Sequence, residues 1–177
     1  MGIKTIGIPG TIDNDISGTD FTIGFDTALQ TSVEAVDKLR DTSSSHRRCS
    51  IIEVMGRNCG AIAIWTGLAV GAEYVASREI GYNEDDIVET IRNASRSKRH
   101  AIVIITENLA DIDHLAKLIS EKTQFEARPT VLGHIQRGGT PSARDRVLAS
   151  VMGVKAVTAL VEGVSSHCVC LVGDELI

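Results

Sequence analysis

The chain has 177 residues and a formal net charge of -5, with 43% apolar, 23% charged and only 3% aromatic residues. That length suits one ordinary domain or one part of a larger enzyme, and the balance is globular with an aliphatic core rather than disordered. A net negative charge argues against a nucleic-acid surface, and the longest apolar-leaning stretch, residues 61–72, is too short for a membrane span.

In chain order, Ile3, Ile6 and Ile8 read as a buried first strand that Pro9 and Gly10 end. The loop Thr11-Ile12-Asp13-Asn14-Asp15 follows. If it is extended, alternation puts Asp13 and Asp15 on one side and Asn14 on the other. Residues 18–24 stay loop-like. Leu29, Val33, Val36 and Leu39 keep helical spacing and predict a helix over 26–39, with residues 42–45 as a polar connection. Residues 48–55 predict a strand, 56–60 a tight loop, 61–70 a fully buried helix, and 74–76 a short strand. Asn83 with Asp86 resembles a capping pair opening a helix whose buried face is Ile87, Val88 and Ile91. Residues 100–106 form the clearest strand, apolar throughout, as parallel strands covered on both faces tend to be. Leu115, Leu118 and Ile119 mark another helix, 129–132 another strand, and Ser142 with Asp145 caps a long helix running to about Val161. Residues 169–172 close the series. Strands alternating with helices predict an α/β fold, three-layered with a mainly parallel sheet. Cys49, Cys59, Cys168 and Cys170 contain no CxxC pair and read as free, mostly structural thiols of a reducing cytosol.

Open α/β sheets bind ligands beyond the carboxyl ends of their strands, which is where several polar loops fall. In the first, one carboxylate of Asp13 and Asp15 could take a proton from a hydroxyl while its neighbour positions that group or a metal shell. A polar turn is the alternative, because Asp and Asn are common turn residues. Met55-Gly56-Arg57 also follows a strand, and a guanidinium there suits a phosphate or a structural ion pair. Gly133-His134-Ile135-Gln136-Arg137-Gly138-Gly139 is sharper: its glycines let the backbone turn tightly, and neither a turn nor a helix cap requires His and Arg together. Glu107 ends a third loop on the same side, or is a plain helix-start acid. His46, Arg47 and Arg48 form a basic cluster that clamps a phosphate or is a solvated corner. Arg96, Lys98, Arg99 and His100 form a second one, most economically the basic end of a helix.

Together, Pro9-Gly10-Thr11-Ile12-Asp13-Asn14-Asp15, Met55-Gly56-Arg57 and residues 133–139 closely resemble the bacterial-type 6-phosphofructokinases, in order and at fitting spacings. Residues 41–46 and 145–149 extend the likeness over nearly the whole chain. The resemblance implies an incomplete phosphofructokinase-like fold and transfer of the ATP γ-phosphoryl to the 1-hydroxyl of fructose 6-phosphate, with Mg²⁺, in cytoplasmic glycolysis. It makes Asp13 the base, has Thr11 and Asp15 shape its loop, and has Arg57 stabilise the transferring phosphoryl. It assigns Thr11, Ile12, Met55, Gly56, Glu107, His134, Ile135, Gln136 and Arg137 to the sugar phosphate. Arg48 and Arg128 match arginines that reach that ligand from a neighbouring subunit, so a homo-oligomer, a tetramer in the intact enzyme, is implied. Arg40, Gly71, Ala72, Glu73, Arg96, Lys98, Arg99 and His100 match a nucleotide-effector site.

The family's glycine-rich nucleotide loops and metal-binding acid lie upstream of the acidic loop. The expectation is therefore a sugar-phosphate half over 1–177 without the ATP-binding part or a short C-terminal tail, and with no metal ligand of its own. There are two alternatives. Pyrophosphate-dependent relatives typically carry Lys where Gly10 stands, which favours ATP. A non-catalytic chain that binds sugar phosphate or docks on intact subunits is the other.

Overall fold

The computed structural model describes residues 2–177, apart from the side chain of Ser44. Three two-residue strands come first: β1 (Ile6–Gly7), β2 (Gly10–Thr11) and β3 (Ile23–Gly24). Then follow α1 (Phe25–His46), β4 (Arg48–Val54), α2 (Ala61–Val70), β5 (Tyr74–Ala76), α3 (Glu84–Ser95) and β6 (Ala101–Thr106). After them come α4 (Ile112–Lys122), β7 (Glu126–Val131), a 3-10 helix (Gly133–Arg137) and α5 (Ala143–Val161). The strands β8 (His167–Cys168), β9 (Leu171–Val172) and β10 (Glu175–Leu176) end the series.

The central sheet has four strands, all parallel, in the order β5-β6-β4-β7. All six residues of β6 are buried, and β4 beside it alternates its side chains between two cores. On one face Cys49, Ile51, Val103 and Ile105 pack against Ile87 and Ile91 of α3 and Leu115 and Ile119 of α4. On the other, Ile52, Val54, Ile102 and Ile104 meet Phe25, Ala28 and Val36 of α1 and Ile62 and Ala63 of α2. Each such Ile or Val contributes about 1.5–3 kcal/mol on burial, so the three-layer arrangement expected from the pattern follows from strands that are apolar on both sides. A third, smaller core joins Leu148, Met152 and Ala156 of α5 to Val169, with Ile6, Phe21 and Ile23 against it.

Strand register brings three loops together. β4 pairs with β6 from Cys49↔Ala101 to Val54↔Thr106 and with β7 from Arg48↔Glu126 to Glu53↔Val131. The three carboxyl ends are therefore level, and the loops after Val54, Thr106 and Val131 leave the sheet side by side.

Several expectations need correcting. Residues 3–8 are not a buried strand: Ile3 is 90% and Ile8 41% exposed, because β1 pairs only with β8 among the described residues. Residues 42–45 do not interrupt α1, which runs seven residues past Leu39 to His46. Ser45 returns its hydroxyl to the Thr42 carbonyl at 2.9 Å, and buried Ser43 meets Ser50 of β4 at 2.7 Å, so polar side chains serve the helix here. The helix ends when Arg47 adopts a left-handed backbone and its N–H donates to the Ser43 carbonyl. Helix α2 is not fully buried, since Trp65 is 47% and Leu68 75% exposed. The strand expected at 129–132 starts earlier, at Glu126. The segment 169–172 is half of an antiparallel pair, β9 with β10. Helix α5 is apolar on two sides: Leu148, Met152 and Ala156 face the third core while Val147, Val154 and Val161 are exposed.

Candidate active site

The acidic loop is held by an asparagine. Asn14 takes a left-handed backbone (φ 56°), so the chain is not extended there and simple alternation does not place Asp13 and Asp15. Its side-chain oxygen accepts from the Thr22 N–H at 2.9 Å and the Thr22 hydroxyl at 3.2 Å. Its amide donates to the Asp20 carbonyl at 3.0 Å, and the Thr22 hydroxyl donates to the Thr11 carbonyl at 2.7 Å. Asn is among the few residues that tolerate this conformation. The Thr11 hydroxyl accepts from the Asp13 N–H at 3.2 Å, and Ile12 turns inward against the second core. Asp13 is left half-buried and Asp15 exposed.

The loop after β4 is forced by Gly56. Its φ is 144°, and a Cβ there would stand 2.3 Å from the Cys59 carbonyl oxygen. Arg57 follows in a left-handed conformation, φ 51°, and is exposed. The amides of this loop are taken up by side chains of the two neighbouring loops. Glu107 accepts the Gly56 N–H at 3.2 Å and the Arg57 N–H at 2.8 Å. Gln136, buried in the 3-10 helix, accepts the Met55 N–H at 3.2 Å and the Ser32 hydroxyl at 3.1 Å and donates to the Gly133 carbonyl at 3.0 Å. The loops after β4, β6 and β7 are thus stitched together by two side chains. Glu107 is a carboxylate partner of backbone rather than a helix cap, and Met55 is buried beneath it.

The charged tips act on one another. Burial pushes the Asp13 carboxyl above its ordinary range, and Asp15 and Glu107 add to this, while Arg57 and Arg137 pull the other way. Four elements therefore deliver Asp13, Arg57, Glu107 and Arg137 into one field at the carboxyl ends of the strands. His134 and Ile135 lie exposed on the same 3-10 helix as Arg137. A cavity of about 340 Å³ opens behind Arg137, between Ile12, Gly24 and Thr27 on one side and Pro141 and Asp145 on the other.

Three residues here escaped the sequence reading. Asn14 fixes the acidic loop, and no alternation rule reveals that. Glu53 is a half-buried acid whose pKa is raised by burial and by Glu107; a lone acid inside an apolar strand was its signal. Cys59 is a half-buried thiol raised by burial and, further down, by Glu79, Asp15 and Asp13, which puts it at the crevice too.

Arg48 and Arg128 lie elsewhere. Both bond Glu126 on the outer strand β7, Arg48 at 3.0 Å, and they hold its carboxyl below the ordinary range. Arg48 begins β4 while Met55 follows its end; at about 3.3 Å per residue the two are roughly 20 Å apart.

The expected effector residues form two groups. Arg40, Gly71, Glu73, Lys98, Arg99 and His100 line a concavity of about 480 Å³ at the opposite end of the sheet. Glu73 there binds Lys98 at 2.7 Å and the Ile102 N–H at 2.6 Å, and Arg40 donates to the Val70 carbonyl. Ala72 packs toward the second core instead, and Arg96 lines a separate concavity.

An open parallel sheet covered by helices on both faces, with the loops at its strand ends stitched by side chains, defines a three-layer α/β protein. Its relatives narrow this. Residues 1–160 match the phosphofructokinase family model, and the chain belongs to that family. It is 52% identical over 177 residues to an ATP-dependent 6-phosphofructokinase of Haemophilus influenzae (strain 86-028NP), covering 99% of this chain and 55% of that protein. An enzyme of the same description from Tolumonas auensis is 54% identical over 178 residues, 56% of its length. The chain thus spans about 55% of the length of the curated relatives it matches. Among solved structures, phosphofructokinase from Saccharomyces cerevisiae superposes with a TM-score of 0.86 at 34% identity, over 99% of this chain and 25% of that one. A pyrophosphate-dependent phosphofructokinase from Marinobacter aquaeolei gives 0.84 at 26% identity, over 98% and 48%.

Proposed function

We propose that this chain carries the acceptor side of an ATP-dependent 6-phosphofructokinase: the base and the fructose 6-phosphate pocket over 1–177. The observation that carries the reading is that the loops bearing Arg57, Glu107 and Arg137 leave the sheet side by side and are tied together by Glu107 and Gln136, with the Asp13 carboxyl within the field of all three charges. Asp13, with its carboxyl raised by burial and Asp15, is suited to take the proton of the sugar 1-hydroxyl as that oxygen attacks phosphorus. Arg57 and Arg137, pulling against that shift, are the cations nearest in effect to Asp13. Arg57 stabilises the equatorial oxygens of the transferring group, while His134 and Arg137 hold the sugar's own phosphate. Thr11 and Asp15 keep the base in place, and Ile12, Met55, Gly56, Glu107, Ile135 and Gln136 shape the pocket.

Phosphoryl transfer of this kind is positioning and electrostatics, with no covalent nucleophile required. ATP is the donor in this reading, and Mg²⁺, when bound with it, would neutralise charge on its phosphates. Among the described residues no group of three His, Cys, Asp or Glu comes together that could hold a metal ion. Arg48, roughly 20 Å along the sheet from the crevice, and Arg128, level with Ser50 on β7, serve the pocket of a neighbouring subunit, which makes the working enzyme a homo-oligomer, a tetramer. The concavity around Arg40, Glu73 and Lys98 takes the nucleotide effector. In the same reading the protein acts in the cytoplasm, in glycolysis.

Calorimetric titration of the chain with fructose 6-phosphate tests this. Saturable heat in the parent that Arg137→Ala abolishes supports the assignment. A folded parent that gives no heat refutes it. A coupled assay offering ATP and pyrophosphate separately addresses the donor: turnover with pyrophosphate alone overturns the choice of ATP.

A further inference from the structure

The segment 167–172 carries a feature that the crevice does not use. Cys168 ends β8 and Cys170 follows two residues on; both thiols are free, Cys168 exposed and Cys170 half-buried. Side chains two apart share a face where the chain is extended. The left-handed residues nearest the pair, Ser166 (φ 62°) and Gly173 (φ 61°), lie outside it. Val169, between the cysteines, is 3% exposed and packs into the third core, so the two sulfurs stand together on the opposite, outer face.

The backbone around the pair is pinned. The Val169 N–H donates to the Gly7 carbonyl at 3.0 Å, and Cys170 exchanges two bonds with Ile177, at 3.0 and 2.9 Å. Opposite Cys168 on β1 stands Gly7, whose missing side chain leaves that flank of the sulfur uncovered. A concavity of about 230 Å³, lined by Ala159 of α5, Ile177 and Cys168, gives a route in. The thiol protons are weakly held. Each thiol donates only a long bond to a nearby carbonyl, 3.8 Å from Cys168 and 3.9 Å from Cys170, and S–H is a weak donor. The sulfurs also act on one another: partial burial and, after it, the Cys170 thiol lift the Cys168 thiol above its ordinary range.

A disulfide is a poor way to join these sulfurs. Extended residues two apart have Cα atoms about 6.6 Å apart, at the far limit of the roughly 4.4–6.8 Å that a disulfide spans, and the pinned backbone resists closing. One metal ion at about 2.3 Å from each sulfur bridges a gap of up to about 4.6 Å and asks less of the backbone. The number of ligands selects the ion. Structural zinc takes four N or S ligands, while calcium and magnesium take oxygens. Among the described residues no three His, Cys, Asp or Glu side chains gather that could hold a metal. By the same alternation His167 points away from the pair, and its Nδ1 stands 2.7 Å from the Ser165 carbonyl. Soft thiolates without other ligands favour Cu(I).

We propose that Cys168 and Cys170 clamp one soft, two-coordinate metal ion of the Cu(I) class between their sulfurs. Both thiol protons pass to solvent as two metal–sulfur bonds form, and no electron is transferred. The site is independent of the crevice and of its reading as a kinase pocket.

The test is anaerobic titration of the reduced chain with Cu(I) in competition with the chromophoric chelator bicinchoninate. The chain is expected to take one ion per monomer from the chelator. Cys168→Ser, and Cys170→Ser or Cys170→Ala, should each lower the affinity at least tenfold, while Cys59→Ser leaves it within about twofold. Zn(II) should bind at least tenfold more weakly. Circular dichroism confirms that each variant is folded, and size-exclusion chromatography that loading leaves the oligomeric state as it was. A folded parent that takes no Cu(I) overturns the proposal. So does uptake that survives loss of either cysteine, uptake abolished by Cys59→Ser, or equal binding of Zn(II). New dimers on loading overturn it too, because the ion is then shared between two chains.

Discussion

Helix α1 begins at Gly24, which has no side chain to cap it, yet its first amides are not open. Asp145, 3% exposed on α5, accepts the Gly24 N–H at 3.0 Å, the Thr27 N–H at 2.8 Å and the Thr27 hydroxyl. Asp145→Ala removes an anion from a helix amino terminus and leaves two part-buried N–H groups unpaired. A lost cap costs about 0.5–2 kcal/mol and each orphaned buried donor about 1–3 kcal/mol. With water entering the vacated space, the expected total is about 4 kcal/mol. For a chain of this size, 1 kcal/mol moves the melting midpoint by about 2–4 °C, so a fall of roughly 8–16 °C is expected. Asp145→Asn keeps one acceptor oxygen but turns an NH₂ toward donors, and should lose about half as much. Thermal melts followed by circular dichroism at neutral pH provide the assay. If Asp145→Ala shifts the midpoint by less than about 2 °C, or matches Asp145→Asn, the cross-helix cap is not what holds α1.

The crevice gives two further outcomes. Gly56→Ala forces a Cβ toward the Cys59 carbonyl, so the loop must move and Arg57 with it; calorimetry should show fructose 6-phosphate binding at least about tenfold weaker, near 1.4 kcal/mol. Parent-like affinity would contradict the packing argument. Asp13 has a folded pKa above its unfolded one, so the proton it binds stabilises the fold at low pH, and that help is lost as pH rises through the folded pKa. Asp13→Asn should therefore melt at or above the parent near neutrality and lose this advantage at about pH 3, where Asp13 is protonated in both states; a variant clearly less stable at neutrality contradicts the sign.

Sequence pattern revealed what depends on neighbours in the chain. The Asn83 cap is there, its side chain accepting from Asp85 and Asp86, because capping is decided within three residues. Strand β6 was legible because six apolar residues leave it nowhere to go but the middle. What stayed hidden depends on distant partners. Helix α1 continues past its serines partly because Ser43 finds Ser50. Asp145 could be read as a residue of its own helix start, but its partners are more than a hundred residues away. The crevice was half legible: its tips were named from motifs, while the role of Asn14, set by backbone twist, and the presence of Glu53, set by the sheet beneath, were not.

The stitching of the crevice by Glu107 and Gln136 has a consequence for how such a site changes. A glycine-rich phosphate cradle grips with main-chain amides, which only a substitution by proline can delete. In this chain the amides of Met55, Gly56 and Arg57 are committed inward. On the proposed function, its hold on anions falls to detachable guanidinium and imidazole groups at the surface. Affinity should then fall steeply with ionic strength. A new ligand preference needs only one codon changed at the rim, with the scaffold beneath untouched.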